Sequence, residues 1–161
     1  MQVASTQRPA LARYRSPVGD RDEISALVYR YAGLLDGGDL DGVTDMFTDA
    51  TWRSAATGAV LTTREEVRAV YANVTLYDGV PRTRHLMDNL IVDLDDGADE
   101  ATGRCYYTVL QQPDGPGTPI APILAGRYVD RYRRGRDGWR FADREFHVDL
   151  AGDLSRHFGA G

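Results

Sequence analysis

AGRYVDRYRRGRDGWRFADREFHVD, residues 125–149, is the stretch from which the fold is read. Ala125–Arg134 and Trp139–Asp149 read as two strands, and Gly135–Gly138 is the hairpin turn between them. The same pattern extends upstream. Thr102–Gln111, rich in Tyr, Val and Thr, is a further strand, and Arg84–Asp93 another, with Asp95-Asp96-Gly97 as the turn between them. Gln112–Pro122 holds four of the seven prolines and two glycines, so it is a loop. Everything after Pro81 therefore reads as antiparallel sheet.

The first half is helical. Asp20 and Glu23 have capping-box spacing, and Ile24, Leu27, Val28, Tyr31, Leu34 and Leu35 recur at helical intervals. Gly37-Gly38 stops this helix, because glycine accepts a left-handed cap. Asp39 can cap a second helix with Leu40, Val43, Met46 and Phe47 on one side, and Ala50–Ser54 is a short strand. Thr63 with Glu66 opens a third helix carrying Val67, Val70, Tyr71 and Val74. Helices first and long strands afterward predict an α+β fold: a cone-shaped, curved antiparallel sheet with helices packed on its concave face, enclosing a pocket. Residues 1–19 read as a flexible arm, 20–150 as the domain and 151–161 as a tail.

Composition narrows the function classes. A chain of 161 residues is long enough for one domain with a real core. The formal charge of −5 argues against a general nucleic-acid binder. Cys105 stands alone, which excludes an intrachain disulfide and a cysteine-based zinc site. No apolar run approaches the length of a membrane span, and a reducing cytoplasm is the expected setting. Phosphate-loop, Gly-x-Ser-x-Gly and His-Glu-x-x-His motifs are absent.

Four features could carry chemistry. His85 begins a strand whose two-residue period puts it on one face with Met87, Asn89 and Ile91. It is either a general base or a half-buried ring bonded to a backbone carbonyl. Asp36 ends the first helix, where a carboxylate opposes the helix dipole; it either serves a site or solvates the Gly-Gly turn. Together they would make sense as a pair, the carboxylate fixing one imidazole tautomer and leaving the other nitrogen free as base. Tyr31, Tyr107 and Tyr128 fall where they could face a pocket, although tyrosine is also a common core filler. Most arginines of the last hairpin belong to a solvated sheet face, with Arg144 the candidate for a pocket. His147 and His157 rank below His85 because they lie near the chain end.

Asp-x-x-Glu-Ile, Arg-Tyr-Ala, Leu-Asp-Gly-Gly-Asp, Phe-Thr-Asp-Ala-Thr-Trp, Arg-His-Leu-Met-Asp-Asn and Gly-Arg-Tyr-x-Asp-x-Tyr-Arg-Arg, in this order over residues 20–150, resemble the SnoaL-like branch of the nuclear transport factor 2-like superfamily. Within it the chain is similar to the scytalone dehydratase, bile-acid dehydratase and lindane dehydrochlorinase group. The resemblance implies a catalytic dyad of Asp36 and His85, with Tyr31 at the position five before the aspartate. It implies pocket roles for Arg144, five residues after Trp139, and for Tyr107 and Tyr128. The second histidine of scytalone dehydratase has no clear counterpart, and the Asp-Arg-Asp triad of limonene-epoxide hydrolase is not evident.

The expectation is then a cofactor-independent dehydratase, or an isomerase or cyclase, acting on a hydrophobic cyclic small molecule. His85 would take a proton from carbon, Tyr31 and Tyr107 would assist the leaving group or hold a carbonyl, and Arg144 would meet developing negative charge. Asn89 and Tyr128 would help bind substrate. No metal or organic cofactor is required for acid–base chemistry. Rival expectations are an epoxide-opening hydrolase or polyketide cyclase, or a non-catalytic binding module. A homodimer or homotrimer is expected, from the resemblance and from Trp139 and Phe141 on an apolar convex sheet face.

Overall fold

The computed structural model describes residues 19–159; most of the expected N-terminal arm lies outside them. Helix α1 spans Asp20–Asp36, α2 Leu40–Asp45 and α3 Arg64–Tyr71. Strands are β1 Thr51–Ser54, β2 Val60–Leu61, β3 Thr83–Asp93, β4 Glu100–Gln111, β5 Ala121–Gly135 and β6 Gly138–Ala151. The six strands form one curved sheet in the order β2-β1-β6-β5-β4-β3. The four long strands are antiparallel neighbours, as the sequence predicts. β1 departs from this by pairing with β6 in parallel, so the sheet is mixed. It also stays open, with β2 and β3 as its edges, rather than closing into a barrel.

Local chemistry explains the helix ends, with one correction. Asp39 accepts from the Gly42 amide at 2.8 Å, and Thr63 and Glu66 form a complete capping box. The start of α1 is different: Gly19 is the N-cap and no side chain caps it. Asp20 is instead the first helical residue, and its carboxylate binds Arg134 at 2.7 Å and the Trp139 indole at 3.2 Å. A long-range ion pair has taken the side chain that local spacing assigned to a cap. At the other end Gly38 sits at φ +76, where a Cβ would fall 2.1 Å from the Gly79 carbonyl oxygen.

The core fills the concave side. Tyr31 of α1 meets Phe47, Tyr128 and Phe141 edge-on, and Phe47 stacks on Phe141 at 5.3 Å. Trp139 and Phe141 are therefore core residues, buried beneath the helices, and do not form the apolar convex patch expected of them. Large apolar residues exposed on the long strands include Leu86, Ile91, Tyr106, Val129 and Leu150.

Arg144 and Asp130 make an ion pair within this core, both side chains wholly buried. The guanidinium donates to both carboxylate oxygens, at 2.8 and 2.7 Å, and the Tyr132 hydroxyl donates to the same carboxylate at 2.7 Å. The rings of Tyr31, Tyr128 and Phe141 lie 4.0 to 4.4 Å from the guanidinium carbon.

Candidate active site

The C-terminal half of α1, the start of β3, β1, parts of β4, β5 and β6, and the end of α3 converge on a cavity of about 140 Å³. Its walls are largely apolar and aromatic, among them Leu35, Trp52, Val109, Leu124 and Phe146. His85, Tyr31, Tyr71 and His157 bring polar atoms to it.

Asp36 and His85 are joined. His85 Nδ1 lies 2.6 Å from Asp36 Oδ1, and both side chains are nearly buried. The pairing is over-determined, because the His85 amide donates to Asp36 Oδ2 at 2.9 Å and the Thr83 hydroxyl to Oδ1 at 2.8 Å. Burial works to raise the Asp36 pKa. The His85 ring, its charge and amide, and the Thr83 hydroxyl outweigh it and hold the carboxyl below its usual value. With Nδ1 committed to an ionised carboxylate, Nε2 is the ring's remaining nitrogen, and His85 lines the cavity. The carboxylate at the end of α1 is thus accounted for by three donors rather than by solvent.

Tyr31 also lines the cavity. Its hydroxyl is 2.9 Å from that of Tyr71, which accepts the Trp52 indole N–H at 3.2 Å. One orientation of this chain runs from Trp52 to Tyr71 to Tyr31 and leaves the Tyr31 hydrogen free for an oxygen in the cavity. Burial pushes the Tyr71 phenol well above its ordinary pKa, so it stays protonated. Tyr128 and Tyr107 stack at 4.6 Å and give their rings to the wall. The Tyr107 hydroxyl donates to the His147 carbonyl at 2.8 Å, so its hydrogen is not available to a leaving group, contrary to expectation. Gly126 permits this bond: a Cβ there would stand 2.6 Å from the Tyr107 hydroxyl.

Two expected pocket residues are elsewhere. Arg144 does not line the cavity; it is sealed in the core with Asp130, behind the Tyr31 and Tyr128 rings. Buried and bidentately paired, it cannot meet charge on a substrate. Asn89 is exposed and absent from the cavity wall. A β-bulge between Asp88 and Ile91 puts Asn89 at φ +52 and breaks the two-residue period that had aligned it with His85.

Thr83, Trp52, Tyr71 and His157 are among the lining residues that the sequence does not mark for this role. Trp52 belongs to the Phe-Thr-Asp-Ala-Thr-Trp run and Tyr71 to an apolar helical stripe, neither of which signals that their polar atoms join Tyr31. Its place near the chain end ranks His157 below His85 in the sequence. The terminal segment is in fact pinned to the rim of the cavity: Thr75 donates to the His157 carbonyl at 2.8 Å, and Gly159 to that of Asn73 at 2.9 Å.

Comparison with family models matches residues 16–145 to the SnoaL-like domain. The chain belongs to the SnoaL-like domain family. A search of curated proteins gives no significant match. Solved structures agree with the SnoaL-like assignment in fold. An NTF2-like protein with a cystatin-like fold from Novosphingobium aromaticivorans is 23% identical, with TM-score 0.65 over 85% of this chain and 86% of that one. A second protein from that organism, provisionally named an aromatic ring hydroxylase, is 26% identical, with TM-score 0.65 over 88% and 99%. A third, provisionally named a scytalone dehydratase, is 20% identical, with TM-score 0.66 over 83% and 86%. This SnoaL-like chain therefore shares its fold with proteins whose names point to unlike chemistries, and its function must be argued from its own site. Among the described residues, no helix is long and apolar enough to cross a membrane.

Proposed function

We propose that this SnoaL-like protein is an acid–base enzyme that eliminates water from, or moves a double bond in, a hydrophobic cyclic small molecule without a cofactor. The observation that carries the reading is the 2.6 Å Asp36–His85 contact at the wall of an apolar cavity. In the elimination, His85 Nε2 takes a proton from the carbon next to a carbonyl. The C–H electrons become the new C=C bond, the β-hydroxyl departs, and the His85 imidazolium returns the abstracted proton to it, which completes a water molecule and restores the neutral ring. Asp36 holds the imidazole in the required tautomer and stabilises the imidazolium. Tyr31, backed by Tyr71 and Trp52, donates to the substrate oxygen, and developing charge is met there rather than by Arg144. Hydrogen-bond donors in a water-poor site are well suited to that task.

The test uses 3-hydroxycyclohexanone, a single ring bearing the required β-hydroxy ketone. Mass spectrometry of the product should show loss of water and formation of cyclohex-2-enone, and His85→Ala should abolish it. Screening related cyclic epoxides separates the hydrolase alternative, whose product gains water. No turnover of either class, with His85→Ala indistinguishable from the parent in ring binding, would favour a binding module.

A further inference from the structure

The last turn, Leu154 to Phe158, belongs to no helix or strand, yet it is held from several sides. Gln111 donates to the Arg156 carbonyl at 3.3 Å, the Tyr77 hydroxyl donates to it at 2.6 Å, and Phe158 bridges to Val74. These contacts fix His157, which is only 6% exposed and lies on the cavity wall with His85. Its ring stands against Phe158 at 4.5 Å. Its Nδ1 is buried and has no hydrogen-bond partner among the described residues. Burial, reinforced by the nearness of His85, pushes its pKa down to about 4, so near pH 7 the ring is neutral and offers one donor and one acceptor. A buried ring nitrogen without a partner is rare in folded proteins and calls for an explanation.

We propose that His157 is a substrate-binding residue: it hydrogen-bonds an uncharged oxygen substituent of a single-ring substrate lodged between it and the Asp36–His85 pair. The inference rests on the acid–base reading above and narrows it to a substrate class. Size sets one limit, since a cavity of about 150 Å³ accommodates a benzene ring and this one is about 140 Å³. Charge sets the other. None of the lining residues is Lys or Arg, so nothing on the wall compensates a carboxylate or phosphate. Leu35, Val109, Leu124 and Phe146 suit a ring body, while two imidazoles and the Tyr31 hydroxyl suit hydroxyl or keto groups.

Phenol, toluene and benzoate serve as probes in calorimetric titrations at pH 7. The full chain should bind phenol at least tenfold more tightly than toluene, and benzoate more weakly than phenol. His157→Phe keeps the ring's bulk and its packing on Phe158. It should lose at least tenfold in phenol affinity with toluene unchanged, and His157→Gln should recover part of the loss. A nitrogen NMR titration of the unmutated protein gives the same answer without a variant, because phenol should shift the His157 ring nitrogens. Equal phenol affinity in His157→Phe, or no His157 shift on phenol binding, would overturn the inference. So would preference for toluene or benzoate, or no binding of phenol. These are equilibrium measurements, so a catalytically idle dyad leaves them intact. Failure of the base shows as absent turnover, and failure of this inference shows in phenol recognition.

Discussion

At the scale of single residues, Arg144 on β6 lies in the core rather than on the cavity wall. Arg144 serves stability. Its guanidinium is wholly buried on Asp130, and removing one partner of such a pair strands the other charge. Arg144→Met should lower unfolding free energy by about 3–5 kcal/mol in urea titrations. Adding Asp130→Asn, which removes the stranded charge and keeps an acceptor for Tyr132, should recover a large part of that loss. The partner was hidden in sequence because Asp130 lies one strand away, opposite Arg144 in a register reset by a shift at Arg131/Tyr132. His157 supplies a second residue-level outcome. Its pKa falls from the ordinary 6.5 in the unfolded chain to about 4 in the fold. Between those values the unfolded state binds the extra proton, so stability is fully present above about pH 6.5 and is lost as pH drops toward 4. The loss is about 3 kcal/mol. Chemical denaturation across that window should show the slope in the parent and a shallower one in His157→Phe, with the other histidines cancelling in the difference. An identical slope would assign the acid sensitivity elsewhere.

At the scale of elements, Asp36 is aimed by the way α1 ends. Gly38 turns the chain in the left-handed region against the Gly79 carbonyl, two residues after the Asp36 carboxylate. Gly38→Ala should therefore cost about 1–3 kcal/mol through backbone strain, with the collision at Gly79 adding to it. The check is a denaturant titration beside Gly58→Ala, where φ is also positive but a Cβ meets nothing within 4 Å. Equal losses in the two variants would show that the close approach to Gly79 is unimportant. Elements were the most legible level of the sequence. Local turn chemistry and two-residue alternation mark the four long strands, and helical spacing with Gly37-Gly38 marks α1. What escaped were features made by distant chain. Asp20 was drawn from a cap to Arg134, the two-residue β2 exists only through pairing with β1, and the Asn89 bulge has no local signature. The Asp36–His85 contact joins residues 49 apart in the chain. It could be read because the family pattern carries both residues, whereas His157 has no such pattern and is brought in by the docking of the last turn.

For the whole molecule, the open sheet, the end of α1 and the C-terminal turn enclose an apolar space with an Asp–His pair at its wall. The central claim is that this pair acts as one base on carbon. The most direct measurement is proton NMR of α-hydrogen exchange into cyclohexanone in deuterated buffer, with the parent, His85→Ala, Asp36→Asn and the double variant compared at equal concentration. A positioned general base contributes about 10²–10⁴-fold in rate. Each single variant should lose exchange by about that factor, and the double variant should be no slower than His85→Ala, because groups acting as a unit are not additive. Exchange by His85→Ala at the parent rate would contradict the account, and fully additive losses would show that Asp36 and His85 act apart.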